Sequence, residues 1–227
     1  MTDSFKTHNA ALINCRKCPR LVAWREQVAQ TKRKAYLDET YWGKPVPGFG
    51  DPCAKVMIVG LAPGAHGSNR TGRMFTGDAS GDFLYPALYR HGFANQPMAQ
   101  DRFDDLVLHD AFITAICRCV PPNNRPNTSE IDNCLPWLEA EINLLKNLQG
   151  FVALGKIAFD GILRMYRHQG VDLPKLNFGH LAFYELGRGL PWLLASYHPS
   201  QQNTLTGRLT ETMFDEVWDR ARGTIKD

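Results

Sequence analysis

Residues 55–61 carry the uninterrupted apolar run Val56-Met57-Ile58-Val59 and lead straight into a glycine-rich stretch, GLAPGAHGSNRTGRMFTGD, at positions 60–78. An apolar run of this length fits a strand buried on both faces, and such strands belong to parallel sheets covered by helices. Three more segments fit the same reading, at 111–116, 151–154 and 192–197. Helix-period segments lie between or after them, at roughly 80–91, 128–148, 156–167 and 207–222. In the last, Leu209, Met213, Val217 and Ala221 recur every four residues, with Phe214 and Trp218 widening the stripe. Alternating strands and helices predict an α/β fold, a three-layer α/β/α sandwich around a central, mainly parallel four-stranded sheet. No internal repeat, low-complexity tract or composition break divides residues 1–227, so one domain is expected, with the N-terminal cysteine-bearing segment attached to it.

Composition removes several classes of protein. With 44% hydrophobic and 22% charged residues, the chain has the material for a sizeable core, which excludes disorder and a disulfide-dependent mini-fold. The longest uncharged apolar runs fall far short of the ~18 residues of a membrane span. The N-terminal MTDSFKTHNA lacks the apolar centre of a signal peptide. A cytoplasmic protein without a membrane partner is expected. The formal charge of +3, from 26 Lys and Arg against 23 Asp and Glu, permits a nucleic-acid partner without demanding one.

In open parallel sheets, ligands bind where strands end at their carboxyl edge. Two motif-rich segments begin there. The first, at 60–78, packs five glycines with Ser68, Asn69, Thr71, Arg70 and Arg73. Glycines let the backbone approach a ligand closely, exposed N–H groups bind anions, and the arginines add charge. The segment is neither a Walker A loop nor a compact G-x-G-x-x-G. A plain surface loop of turn residues is the competing reading. The second, HPSQQNTLTGR at 198–208, places His198 at a strand end, followed by Ser200, Gln201, Gln202, Asn203 and Arg208, whose short polar groups suit phosphate oxygens.

Six cysteines stand at 15, 18, 53, 117, 119 and 134. In a reducing compartment clustered cysteines point to metal or catalysis rather than disulfides. The Cys15-x-x-Cys18 turn, with Cys119 and Cys134, supplies four thiolates for zinc or an iron–sulfur cluster, and local spacing does not choose between them. Cys117 lies beside Cys119 and competes with it, whereas Cys53 fits neither group.

The runs GLAPGAHGSNRTGRMFTGDASGDFLY and HPSQQNTLTGRLT closely resemble the type b, or family 5, uracil-DNA glycosylases. The likeness spans roughly residues 15–208. It implies an α/β/α sandwich and monofunctional hydrolysis of the N-glycosidic bond of uracil, and of other deaminated bases such as hypoxanthine, in DNA. It implies a pocket floor at Gly60, Leu61, Ala62, Pro63 and Gly64, an aromatic ring at Phe75 stacked on an extruded base, and His198 contacting the leaving base. By the same likeness, Ser200, Gln201, Gln202, Asn203 and Arg208 belong to a loop that enters the minor groove, and Cys15, Cys18, Cys119 and Cys134 hold a [4Fe–4S] cluster. The run after Cys119 matches the family's run after its third ligand, which favours Cys119 over Cys117.

Two positions depart from the wider superfamily. Ala62 stands where other branches carry a water-positioning acid, and Ala115 stands where they often carry an asparagine that reads uracil's edge. Asn69 and Asp78 become the candidates to hold water, with helix capping the competing role for Asp78. Ser68, Arg70 and Arg73, together with the basic Arg16, Lys17, Arg20, Lys32, Arg33 and Lys34, are candidates to follow DNA phosphates. A monomer is expected. The rival functions are an enzyme of free nucleotides and a non-catalytic iron–sulfur protein that binds damaged or abasic DNA.

Overall fold

A computed structural model describes residues 2–226. Its strands in chain order are β1 (Phe49–Gly50), β2 (Val56–Gly60), β3 (Ala111–Ala115), β4 (Gly150–Leu154), β5 (Phe183–Tyr184) and β6 (Trp192–Ser196). They form one sheet in the order β1-β3-β2-β4-β6-β5. The inner strands β3, β2, β4 and β6 run parallel, and β1 and β5 pair antiparallel at the two edges. The expected four-stranded sheet is thus the parallel centre of a six-stranded one. Each added edge strand is two residues long and half-buried, too short to leave a period-two pattern in the sequence.

Every residue of the four inner strands is buried, and alternate side chains feed two separate cores. The helices are α1 (Asp3–Leu12), α2 (Pro19–Thr31), α3 (Ser68–Thr71), α4 (Ala79–Arg90), α5 (Thr128–Leu144), α6 (Lys156–His168), α7 (Gln201–Leu205) and α8 (Glu211–Thr224). Val56, Ile58, Ile113, Val152 and Leu194 pack with Leu84 and Leu88 of α4 and Phe214, Val217 and Trp218 of α8. Met57, Val59, Phe112, Phe151 and Leu193 pack on the other face with Leu138 of α5, Phe159 of α6 and Phe5 of α1. Each such side chain contributes about 1.5–3 kcal/mol, so both faces hold the sheet and the strand ends are fixed to side-chain precision.

Local signals set the helix starts. Asn127 and Glu130 form a capping box at α5, and Glu130 also takes a two-pronged pair from Arg20, binding the N-terminal segment to the fold. The helix expected over 207–222 is α8, which starts four residues later than expected: Gly207 (φ +70°) and Leu209 lie before it, and the Thr210 hydroxyl caps it by accepting from Met213 N–H. The sequence reading also lacks α1, whose buried side chains are Phe5 and Leu12 alone. Among the described residues, no helix is long and apolar enough to cross a membrane.

Candidate active site

The carboxyl ends of β2, β3 and β6 bring the first and second motifs together. Gly60 and Ala115 are register partners, and the pairing continues past the strands, with Ile116 N–H donating to Gly60 O and Cys117 N–H to Leu61 O. Phe75 lays its ring over Gly60, where a Cβ would stand 2.8 Å from the Phe75 Cζ, so only glycine leaves the ring its place. Phe75 holds φ +52°, a conformation that costs a bulky residue of order 1–3 kcal/mol and persists only where the surroundings enforce it. Its ring stacks on the His198 imidazole, centroids 5.9 Å apart and planes at 29°.

His198 follows β6 and is held by its backbone: its carbonyl accepts from Ser200 N–H and from Asn203 Nδ2, both at 2.8 Å. Gly155, after β4, closes on its Cβ. Burial pushes the imidazole pKa down to about 4. The ring is therefore neutral at physiological pH, with one N–H to donate.

Below Phe75, the loop folds over Asp78. Its Oδ1 caps α4, accepting from Ser80 N–H at 3.1 Å and Gly81 N–H at 3.2 Å. Its Oδ2 lies against Gly64 and Gly67; a Cβ on Gly67 would come within 2.0 Å of it. Burial raises the Asp78 pKa above the ordinary carboxylate range. Ala62 is half-buried and Pro63 buried beside this floor. Asn69 is fully buried; its Nδ2 donates to the Arg25 carbonyl at 3.2 Å, and its backbone N–H donates to Gly64 O at 3.0 Å.

The expected phosphate-binding residues separate into two groups. Arg70 donates to His66 O, Gly77 O and Glu39 and covers the Tyr36 ring at 4.0 Å. Arg73 is buried in a two-pronged pair with Asp104 (2.7 and 2.6 Å), and Ser68 is buried as well. In this structure the two guanidinium groups are directed to partners inside the protein and Ser68 is buried, so these side chains support the loop. Arg16 and Arg20 likewise pair with Glu26 and Glu130. Arg208, by contrast, is exposed, lies over the Tyr197 ring at 4.8 Å and has no carboxylate partner among the described residues. Gln201 and Gln202 are exposed on α7, while Ser200 and Asn203 are half-buried at its start.

Cys15, Cys18, Cys119 and Cys134 all line one cavity, together with Leu12, Leu21, Val22 and Trp137. Three of the sulfurs receive N–H groups: Cys119 from Arg25 Nη1 at 3.0 Å, Cys134 from Arg118 N–H at 3.3 Å, and Cys18 from Asn133 Nδ2 at 3.7 Å. Among the described residues no group of three or more His, Cys, Asp or Glu side chains is already arranged to hold a metal ion. Four thiols around one cavity, three of them met by N–H donors, are a donor set that suits either zinc or an iron–sulfur cluster. Arg118 braces the cavity wall through a two-pronged pair with buried Glu141, which also accepts from Thr114 Oγ1 at 2.7 Å. Burial alone would push Glu141 up; the Arg118 charge and these hydrogen bonds outweigh it and hold the carboxyl down at about 2.

A family model described as the uracil DNA glycosylase superfamily matches residues 47–222, most of the chain and all of both motifs. The chain belongs to the uracil-DNA glycosylase superfamily. A type-5 uracil-DNA glycosylase of Thermus thermophilus is 52% identical over 211 residues, covering 93% of this chain and 94% of the relative. One of Mycobacterium tuberculosis is 51% identical over 215 residues, covering 94% and 79%. A type-4 uracil-DNA glycosylase of Pyrobaculum aerophilum is 35% identical over 192 residues, covering 82% and 78%.

Within this superfamily member, several residues around the site had no signal in the sequence. Tyr41 bonds His66 Nδ1 through its hydroxyl at 3.0 Å, and Trp42 N–H donates to Arg70 O, so the aromatic connection before β1 is a brace for the first motif. Leu205 ends α7 with 82% of its surface exposed, an apolar tip on a polar loop. Only the break in an otherwise polar run, QQNTLTGR, marks it in the sequence.

Proposed function

We propose that this protein excises uracil from DNA by hydrolysing the N-glycosidic bond, leaves an abasic site without cutting the strand, and also accepts hypoxanthine. The observation that carries the reading is the meeting of Phe75, Gly60 and neutral His198 at the carboxyl ends of β2 and β6. A duplex hides its glycosidic bonds, so the base must leave the stack at a cost of a few kcal/mol. Stacking on an aromatic face such as Phe75 returns roughly 1–3 kcal/mol. Leu205, exposed at the end of α7, is suited to wedge into the space the base leaves, and Arg208 to hold a phosphate beside it.

As the bond breaks, negative charge grows on the base, and a donor aimed at it is worth about 2.7–4 kcal/mol. His198 supplies that N–H in the neutral form, so the developing anion is stabilised without a proton first being lost from the site. Asp78 Oδ2, on the glycine floor, is the group we assign to hold the attacking water, in the absence of an acid at Ala62. The buried methyl of Ala115 offers no hydrogen bond to a base edge, which supports acceptance of a purine such as hypoxanthine. Cys15, Cys18, Cys119 and Cys134 would hold a [4Fe–4S] cluster, which supplies a structural tie between the N-terminal segment and the sheet. We take the protein to act as a monomer.

The test uses end-labelled duplexes carrying one uracil or one hypoxanthine, incubated with excess protein and then treated with alkali. Strand cleavage only after alkali is expected, and the two rates give the base preference. Cleavage without alkali would reveal a lyase. No cleavage by iron-loaded protein would replace this reading with that of a DNA-binding protein.

A further inference from the structure

Arg25, on α2, is 2% exposed, and its charge has few partners. Nη1 donates to the Cys119 sulfur at 3.0 Å and to the Cys15 carbonyl at 3.3 Å, while Nε has no hydrogen-bond partner among the described residues. Its carboxylate neighbour, Glu26, is 3.8 Å away and already takes both prongs of Arg16. A guanidinium stays charged in a protein, and a buried charge needs a counter-charge. A neutral thiol is none; an iron-bound thiolate is.

The other end of the same residue reaches the active site. The Arg25 carbonyl accepts from Asn69 Nδ2. Asn69 is fully buried, its Oδ1 has no hydrogen-bond partner among the described residues, and its backbone N–H holds Gly64 O. Gly64 in turn lies against Asp78 Oδ2. A short chain of hydrogen bonds therefore runs from the Cys119 sulfur to the floor of the base pocket.

We propose that Arg25 is a two-ended positioning residue: its guanidinium balances the charge of the cysteine site at Cys119, and its carbonyl fixes Asn69 and with it the pocket floor. The proposal rests on the cysteine-site reading given above. It makes Asn69 a positioning residue, and it makes the pocket floor sensitive to the state of a metal site that touches no substrate.

The full chain is compared with Arg25→Met, Arg25→Lys and Asn69→Ala. The readouts are iron and sulfide per chain, the rate of iron loss to a ferrous chelator, and amide hydrogen exchange in the peptide covering 64–72. Arg25→Met should lose iron at least about tenfold faster than wild type, with faster exchange in 64–72; Arg25→Lys should restore most of the iron retention. Asn69→Ala should keep wild-type iron loss but speed exchange in 64–72. If wild type holds iron and Arg25→Met matches it in iron loss, the charge-balancing role is overturned while the cysteine site stands. Faster iron loss with unchanged exchange overturns the link to Asn69. Should Arg25→Met fail to fold, Arg25→Lys and Asn69→Ala decide both ends by the same readouts. Wild type without iron removes the cysteine reading and this proposal together.

Discussion

Asp78 uses its two oxygens for different tasks, and a serine separates them. Oδ1 accepts from Ser80 and Gly81 N–H as the cap of α4, and Oδ2 rests on Gly64 and Gly67 at the pocket floor. Serine and aspartate are near equals as helix caps, so Asp78→Ser forfeits mainly the charge at the helix N-terminus, about 0.3–1 kcal/mol. Asp78→Ala forfeits the cap too, about 1 kcal/mol more. In a chain of this size each kcal/mol moves Tm by roughly 2–4 °C, enough to rank the two variants. Catalytically the two are alike, because both lack Oδ2. A positioned carboxylate acting on water contributes on the order of 10²–10⁴ in rate, so single-turnover uracil release should fall at least about 100-fold in both. Burial raises the carboxyl pKa, and the ionised form is the stronger acceptor for the attacking water and the one able to take its proton. The wild-type rate should therefore fall off on the acid side above the ordinary carboxylate range, and that limb should vanish in Asp78→Ser. If Asp78→Ser releases uracil at the wild-type rate and only Asp78→Ala is slow, activity follows the helix cap and Asp78 holds no water.

His198→Ala should keep DNA affinity and slow single-turnover base release about 10²–10³-fold; equal rates would end the donor role. The same side chain carries a stability signature. The unfolded histidine protonates near 6.5 and the folded one only at about 4, so stability is lost as pH falls through this window, by about 3 kcal/mol. Thermal scans at pH 7 and pH 4.5 should show a smaller drop for His198→Ala than for wild type. Gly60→Ala sets a Cβ 2.8 Å from the Phe75 ring; a loss of about 1–3 kcal/mol in chemical denaturation should accompany slower base release, and a variant as stable and fast as wild type would show that the ring is free to move. Arg208→Ala should lower the salt slope of DNA binding by about 1, whereas Arg70→Ala should lower Tm and leave the slope intact; the opposite pattern would exchange their roles.

How far the sequence reached depended on whether its signal was local. The four inner strands were legible because burial on both faces writes a continuous apolar run, and the two motifs were legible because they begin where those strands end. His198, Phe75 and Gly60 followed from that placement together with the family resemblance. The internal partners of the first motif's arginines did not follow. Arg70 and Arg73 look as available as Arg208 in a one-dimensional string, since nothing near them announces Glu39 or Asp104, which lie 31 residues away in opposite directions. Among the described residues Arg208 has only Tyr197 under it, so the glycine- and arginine-rich loop is here mostly self-bonded while the later polar loop keeps an exposed arginine. Arg25 was harder still, one basic residue on a helix of ordinary composition. Its importance lies in where its two ends arrive, at a sulfur 94 positions later and at an amide 44 positions later. Residues of this kind carry no motif because their role is to join motifs. A site assembled from separated segments therefore conceals in its sequence the struts that hold it together, even where it displays the groups that act.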